Sequence, residues 1–209
     1  MIKMEHTNVM NIAAAIRGMR NPMQSWEKSD SYTDSEGNFV LGPEDLNLAQ
    51  RLCMAGSDER KFMRQIFVSV DITAPLYWWK EYDTYKVGTV ANSTSTMHKI
   101  HAKPFEIEDF SGERLSQEGR AYLYQIIDVL EKRRQVFVET KDRAAWDDMI
   151  QLLPTSYNQT RTCTMNYENL VNMYFARRNH KLAEWREFCQ WIEGLPYCCD
   201  LVGSRYRWN

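Results

Sequence analysis

Between residues 66 and 73 the sequence alternates. Ile66, Val68, Val70 and Ile72 take every second position, with Phe67, Ser69, Asp71 and Thr73 between them. A period of two puts each set on its own face of a strand, so one face is apolar and must be covered. Ala74-Pro75 follows directly and predicts the end of the strand. Leu76-Tyr77-Trp78-Trp79-Lys80-Glu81-Tyr82 comes next and predicts a helix with Pro75 in its first turn. A strand delivered straight into an aromatic helix needs a shared core. A chain of 209 residues that is 44% hydrophobic is long enough to build one.

The rest of the chain predicts more helices than strands. Residues 22–42, with Asn21-Pro22, Ser29-Asp30-Ser31 and Ser35-Glu36-Gly37-Asn38, read as a long polar loop. Pro43 opens and Gly56 stops a helix in which Leu46, Ala49, Leu52 and Cys53 recur at helical spacing. Val87 to Thr96 is small and polar and reads as a loop. Helices are predicted from about Ser116 to Val138, from Ala144 to Leu153 before Pro154, from Tyr167 to about Arg178, and from His180 to Glu193. Arg161 to Met165 is a short strand. No repeat, low-complexity tract or shift in composition divides the chain, so the expectation is a single α/β (α+β) domain over residues 1–209.

Composition excludes some functions. The formal net charge is -2, so no basic excess points to nucleic acid. No apolar run has the length of a membrane span, and Met1 to His6 lack a signal-peptide core, which predicts a cytoplasmic protein. Cys53, Cys163, Cys189, Cys198 and Cys199 are odd in number and scattered, which predicts reduced, mostly buried thiols. His98-x-x-His101 has the spacing of a ligand pair, but no third ligand is near in sequence and no metal site is expected.

Three features carry possible chemistry. Lys86 and the hydroxyl-rich stretch Thr89 to Thr96 suit a phosphate, although a solvated linker has the same composition. On the helix opening at Asn166, the residues Asn166, Asn169, Asn172 and Arg177 share an arc of about 140°. Leu170, Val171, Tyr174 and Phe175 take the other side, with Arg178 turned toward them. Amides can read the edge of a heterocycle and a guanidinium can hold an anion, but a plain amphipathic surface helix fits too. Tyr77-Trp78-Trp79 with Tyr82 and Tyr85 is either core or a stacking wall for a flavin or base.

Taken in order, these residues resemble the flavin-dependent thymidylate synthases. In that family a strand ends in an apolar-Ala-Pro step and an aromatic helix follows. The signature Arg-His-Arg, seven residues, Ser comes next. Here the step is Ile72-Thr73-Ala74-Pro75-Leu76-Tyr77, and the signature falls on Thr84-Tyr85-Lys86, seven residues, Thr94. Thr84 and Tyr85 thus replace its first Arg and its His. Downstream, Leu153-Pro154, Thr164, Asn166, Asn172 and Arg177 follow the family's order and spacing. Leu182-Ala183-Glu184-Trp185-Arg186 stands where it has His-Ala-Gln-Trp-Glu. The resemblance spans roughly residues 60 to 192.

The resemblance implies a twisted sheet flanked by long helices, in a homotetramer with sites at subunit contacts. It implies FAD as cofactor, deoxyuridine monophosphate (dUMP) as substrate, and methylene-tetrahydrofolate and NADPH as co-substrates. It assigns Arg177 and Thr94 to catalysis, and Tyr85, Lys86, Asn92, Asn166 and Asn172 to the cofactor. Glu81, Lys86, Thr94, Ser95 and Arg177 fall to the substrate. Three readings stay open from sequence: a thymidylate synthase of altered signature, a relative that binds a nucleotide or flavin and does other pyrimidine chemistry or none, and an interaction protein without a small ligand.

Overall fold

A computed structural model describes residues 1–203; the last six positions of the expected domain lie outside the described residues. The strands are β1 (Lys3–Met10), β2 (Tyr32–Thr33), β3 (Phe39–Val40), β4 (Phe67–Pro75), β5 (Val90–Ser93) and β6 (Asn158–Asn166). The helices are α1 (Ile12–Gly18), α2 (Pro43–Ala55), α3 (Leu76–Tyr82), α4 (Gln117–Thr140), α5 (Arg143–Leu152), α6 (Tyr167–Arg177), α7 (Ala183–Glu193) and α8 (Cys198–Val202). A four-stranded sheet runs in the order β1-β4-β6-β5, and β2 pairs with β3 in a separate hairpin. The chain is mixed α/β, as the sequence predicts.

Period-two alternation builds β4: Val68, Val70, Ile72 and Ala74 are buried. The intervening side chains meet β6 in an antiparallel ladder. Thr73 Oγ1 and Thr160 Oγ1 lie 2.7 Å apart, Thr162 donates to Asp71 at 2.5 Å, and Thr164 donates to Ser69 at 3.3 Å. Each such pair adds a few tenths of a kcal/mol and pins the register, because a one-residue slip would bury the hydroxyls.

Contacts divide the chain into two compact units. Among the described residues the first comprises 1–3, 71–84 and 91–162; the second comprises 4–70, 85–90 and 163–203. In the first, α4 and α5 close over Ile100, Phe105, Phe110, Leu123, Ile127, Leu130 and Met149. Ser116 caps α4 by accepting from Gly119 N at 3.0 Å, and Asp142 caps α5 by accepting from Ala144 N at 3.1 Å. Trp78, Trp79 and Tyr82 are packed into the interior of this unit. Trp79 meets Trp78 edge-on at 4.9 Å and donates from Nε1 to Gln159 O at 3.0 Å. The aromatic helix is therefore core, and its tryptophans form no wall open to a flavin.

The second unit holds α6 and α7, whose apolar faces bury Leu170, Met173, Tyr174, Trp185, Phe188 and Ile192. Its polar centre is Asp45 on α2, fully buried together with Arg20, which is 3% exposed. Arg20 Nε donates to Asp45 Oδ1 at 2.5 Å, while Ser29 Oγ and Ser31 N donate to Oδ2 at 2.7 and 3.1 Å. Asp30 accepts from Glu44 N and Asp45 N at 2.9 and 3.0 Å and so caps α2 from across the loop. Gly42 allows that approach, since a Cβ there would stand 2.3 Å from the Asp30 carboxyl.

Several expectations need correction. Residues 22–42 form two 3-10 turns, Asn21–Met23 and Trp26–Lys28, followed by the β2–β3 hairpin. The hairpin closes because Asp34 accepts from Glu36 N and Asn38 N at 2.9 and 2.8 Å while Gly37 takes φ +89°. Part of the expected 87–96 loop is the strand β5. The expected strand 161–165 extends to 158–166. The helix expected from His180 starts at Ala183, because His180 Nδ1 accepts from Leu182 N at 3.2 Å and Leu182 stays extended. All five cysteines are free thiols and four are buried, as expected. Among the described residues no helix is long and apolar enough to cross a membrane.

Burial on its own would raise the Asp45 pKa, but hydrogen bonds from Ser31, Ser29 and Arg20 outweigh it and hold the carboxyl below its ordinary value. A lowered folded pKa contributes stability above the unfolded value, and that contribution is lost as pH falls through the folded one. Asp45→Ala leaves Arg20 buried without its carboxylate and is expected to cost about 3–5 kcal/mol in urea denaturation. The gap to wild type should narrow below the ordinary aspartate range. A constant gap down to that range and beyond would show that the pair does not titrate with folding.

Candidate functional site

The sequence-predicted residues divide between the two units. In the second, α6 opens with a reciprocal capping box. Asn166 Oδ1 accepts from Asn169 N at 2.9 Å, and Asn169 Oδ1 accepts from Asn166 N at 3.2 Å. Two of the three helix asparagines are therefore structural first. Asn169 also donates from Nδ2 to Val87 O at 2.9 Å, which ties residues 85–90 to the start of α6. Gly88 lies against both amides: a Cβ there would meet Asn169 Oδ1 at 3.2 Å and Asn166 Nδ2 at 3.3 Å, and its φ is +78°. Asn166 is largely buried, and its Nδ2, which finds no acceptor among the described residues, is not one of the fully enclosed polar atoms. Asn172, one turn on, is exposed.

The far end of α6 carries Arg177. Its Nε donates to the Tyr85 hydroxyl at 2.9 Å. Its guanidinium carbon stands 5.1 Å from the centre of the Trp185 ring and 5.6 Å from that of Tyr85. The two rings meet edge-on at 6.0 Å, and the His180 ring meets Trp185 at 6.4 Å. A guanidinium set among rings is held by their quadrupoles. Arg178 instead stands over Tyr174 and Phe175, at 5.9 and 5.4 Å. The two arginines thus serve different neighbours, the division the helical wheel predicts.

Lys86 is exposed. Glu168 in the first turn of α6 accepts from Arg60 Nε at 2.9 Å and pairs with Arg64. Burial pushes the Glu168 pKa up, but hydrogen bonds from Arg64 and Arg60, and their charges, outweigh this and hold it below the usual carboxylate range. A carboxylate here also complements the positive end of the helix.

In the first unit Asn92, Thr94 and Ser95 are exposed on or just after β5. Thr94 is registered against β6: its N–H donates to Thr160 O at 2.9 Å, and its carbonyl accepts from Gln159 Nε2 at 2.7 Å. Ser95 Oγ accepts from His98 N at 2.9 Å, so it turns the chain. Thr84 donates to Glu81 O at 2.7 Å and closes the end of α3. Glu81 is half-buried.

Three residues that position these groups carry little or no signal in the sequence. Gly88 is a lone glycine within a polar stretch that reads as a loop. Trp185 reads as an apolar-face residue and as a match to the family's Trp. Arg161 carries no signal: it lies over the Trp79 ring at 4.1 Å and donates to Asp83 at 2.8 Å and Gln159 at 2.9 Å, tying the register of Thr94 to α3. Among the described residues no group of three or more His, Cys, Asp or Glu could hold a metal ion.

Solved structures give the fold a counterpart. The flavin-dependent thymidylate synthase ThyX from Helicobacter pylori, complexed with FAD and dUMP, superposes with a TM-score of 0.68 at 17% identity, covering 96% of each chain. A second structure of that enzyme with FAD and dUMP gives 0.67 at 16% identity, over 96% of this chain and 95% of that one. The UMP/dUMP methylase PolB from Streptomyces cacaoi, bound with 5-Br dUMP, gives 0.57 at 12% identity, over 85% and 77%. No protein-family model matches the sequence, and no curated protein matches it. The chain has the fold of the flavin-dependent thymidylate synthases.

Gly88→Ala should disturb the helix start. The left-handed φ costs an alanine about 1–2 kcal/mol, and its Cβ presses on Asn169. Hydrogen exchange should show faster amides at Asn166 and Asn169 and unchanged ones in α4. Unchanged exchange at Asn169 would mean that residues 85–90 do not hold the start of α6.

Proposed function

We propose that the chain binds a pyrimidine nucleotide and FAD and methylates the pyrimidine, converting dUMP to dTMP with methylene-tetrahydrofolate and NADPH as co-substrates. The observation that carries this reading is Arg177, held by Tyr85 and Trp185 at the end of α6, in a chain whose fold matches enzymes solved with FAD and dUMP. The donors present suit both ligands. Asn166 Nδ2, the exposed Asn172 amide and Lys86 are donors without an acceptor among the described residues, as a flavin's carbonyls, ribityl hydroxyls and phosphates require.

Arg177 would lie against the pyrimidine and stabilise negative charge developing on the ring, a contribution that grows toward the transition state. Lys86, Thr94 and Ser95 would take the nucleotide's phosphate or base, with Glu81 on its sugar or base. Tyr85 would serve the cofactor and, through its hydroxyl, keep Arg177 in place. Flavin reduced by NADPH would supply the hydride for the methylene unit transferred from the folate. The protein's share is binding, orientation and charge. Sites completed between copies in a cytoplasmic homotetramer belong to the same proposal.

A second reading keeps the nucleotide site and changes the chemistry. Thr84 spends its hydroxyl on Glu81 O and Tyr85 holds Arg177, so Lys86 is the cation left at the signature positions. A weaker anion grip there favours a relative that binds the nucleotide but does other pyrimidine chemistry or none, and an assay for dTMP formation by protein that binds dUMP separates the two.

Calorimetric titration with dUMP of the Arg177→Ala and Arg178→Ala variants tests the proposal. Losing a charge-assisted contact to a bound anion costs about 1.5–3 kcal/mol, so Arg177→Ala should weaken binding roughly ten- to a hundredfold. Arg178→Ala should change it less than about threefold, as a surface substitution does. If Arg178→Ala is the crippled variant, the assignment moves by one residue. If neither variant changes binding, α6 does not hold the nucleotide.

Removing only the phenol is a finer test. Tyr85→Phe keeps the ring near Trp185 and loses the hydrogen bond to Arg177, so dUMP affinity should fall by less than in Arg177→Ala, roughly three- to tenfold. A Tyr85→Phe variant that binds like wild type would remove Tyr85 from the proposed positioning role.

A further inference from the structure

The second unit contains a cavity of about 340 Å³ that none of the residues assigned above lines. Three rings face it: Trp26, 50% exposed, Tyr32, 59% exposed, and Phe39. Arg17 and Arg20 also line it, with Ser29 and Ser31, and no carboxylate does. A cavity of about 330 Å³ in the first unit differs on this point, because Lys3 and Arg120 are balanced there by Glu108 and Glu113.

Arg20 is spent only in part. Its Nε goes to Asp45 and its Nη1 to Ser25 O at 3.3 Å, and Nη2 has no acceptor among the described residues although the side chain is 4% exposed. Arg20 lines the cavity and Nη2 is not among the fully enclosed polar atoms, so its N–H₂ is open to donate to a ligand. Arg17, exposed on the same wall, forms no ion pair among the described residues and adds a second positive charge. The walls are fixed before any ligand arrives. Asp45 holds Arg20, Ser29 and Ser31, Trp26 Nε1 donates to Asn21 Oδ1 at 2.9 Å, and Phe39 packs edge-on against Tyr197 at 6.2 Å. Preorganised rings beside convergent donors make a ligand site, and the volume suits one small molecule.

We propose that this cavity binds a small planar aromatic anion. The ring would lie against Trp26 and Tyr32, with its phosphate or carboxylate on Arg17 and Arg20 Nη2. Two sources share that chemistry, a nucleoside monophosphate and the aminobenzoyl-glutamate portion of a folate.

Calorimetry on the full chain separates the possibilities. The probes are adenosine monophosphate against adenosine, and 4-aminobenzoyl-glutamate against 4-aminobenzamide. At least one anion should bind tenfold or more tighter than its neutral partner, and which one does identifies the source. Arg17→Gln, at an exposed position that leaves the core intact, should erase that preference. Trp26→Ala should weaken the anion and its neutral partner by similar factors. Arg177→Ala should leave the anion's affinity unchanged. If Arg177→Ala abolishes binding and Arg17→Gln does not, the anion sits at the end of α6 and the proposal falls. Equal affinity for the charged and neutral probes, or no saturation by either anion at millimolar concentration, also overturns it.

Discussion

Two asparagines at the start of α6 fix what happens at its far end. Asn166 and Asn169 cap each other's backbone, and Asn169 holds Val87 O. Those bonds place residues 85–90, and Tyr85 in that segment meets Arg177 at the other end of the helix. The guanidinium is thus positioned from two directions, by the helix register and by the phenol. A cation on a rigid helix, braced by a neighbouring side chain, is better placed than one on a loop.

The same bonds revise the meaning of the polar helix face. Three amides and a guanidinium on one arc were legible in the sequence, and so was the division between Arg177 and Arg178. The wheel cannot show that two of the amides are already occupied. A capping box needs only Asn at N-cap and N3, and that spacing was visible; reading the residues for ligand chemistry hid their backbone role. What is left over, Asn166 Nδ2 and the Asn172 amide, is a smaller and more specific donor set than the arc suggested.

Much of the fold was readable because it follows from periodicity. β4, α2, α4 and α5 are set by alternation, helical spacing, caps and Pro or Gly boundaries. The elements that escaped lack those signals. β1 is largely exposed and its alternation carries no apolar face. β5 has four exposed residues and exists because β6 offers it a partner. The 22–42 segment looks like a loop in sequence because its order comes from carboxylates 14 to 25 residues from their partners: Asp45 gathers Arg20, Ser29 and Ser31, and Asp30 caps α2. Long-range polar contacts of this kind have no local pattern to read. The aromatic helix failed in the other direction. Its rings suggested stacking, but a strand leading into it left Trp78 and Trp79 no exit from the core.

The central claim is one site that holds a flavin and a pyrimidine nucleotide together. The most direct measurement is the visible absorbance of the protein reconstituted with FAD, recorded while dUMP is added. The account predicts that FAD is retained through gel filtration and that dUMP perturbs the flavin bands saturably, with the perturbation lost in Arg177→Ala. A colourless protein after reconstitution, or flavin bands that dUMP leaves unmoved, would contradict it.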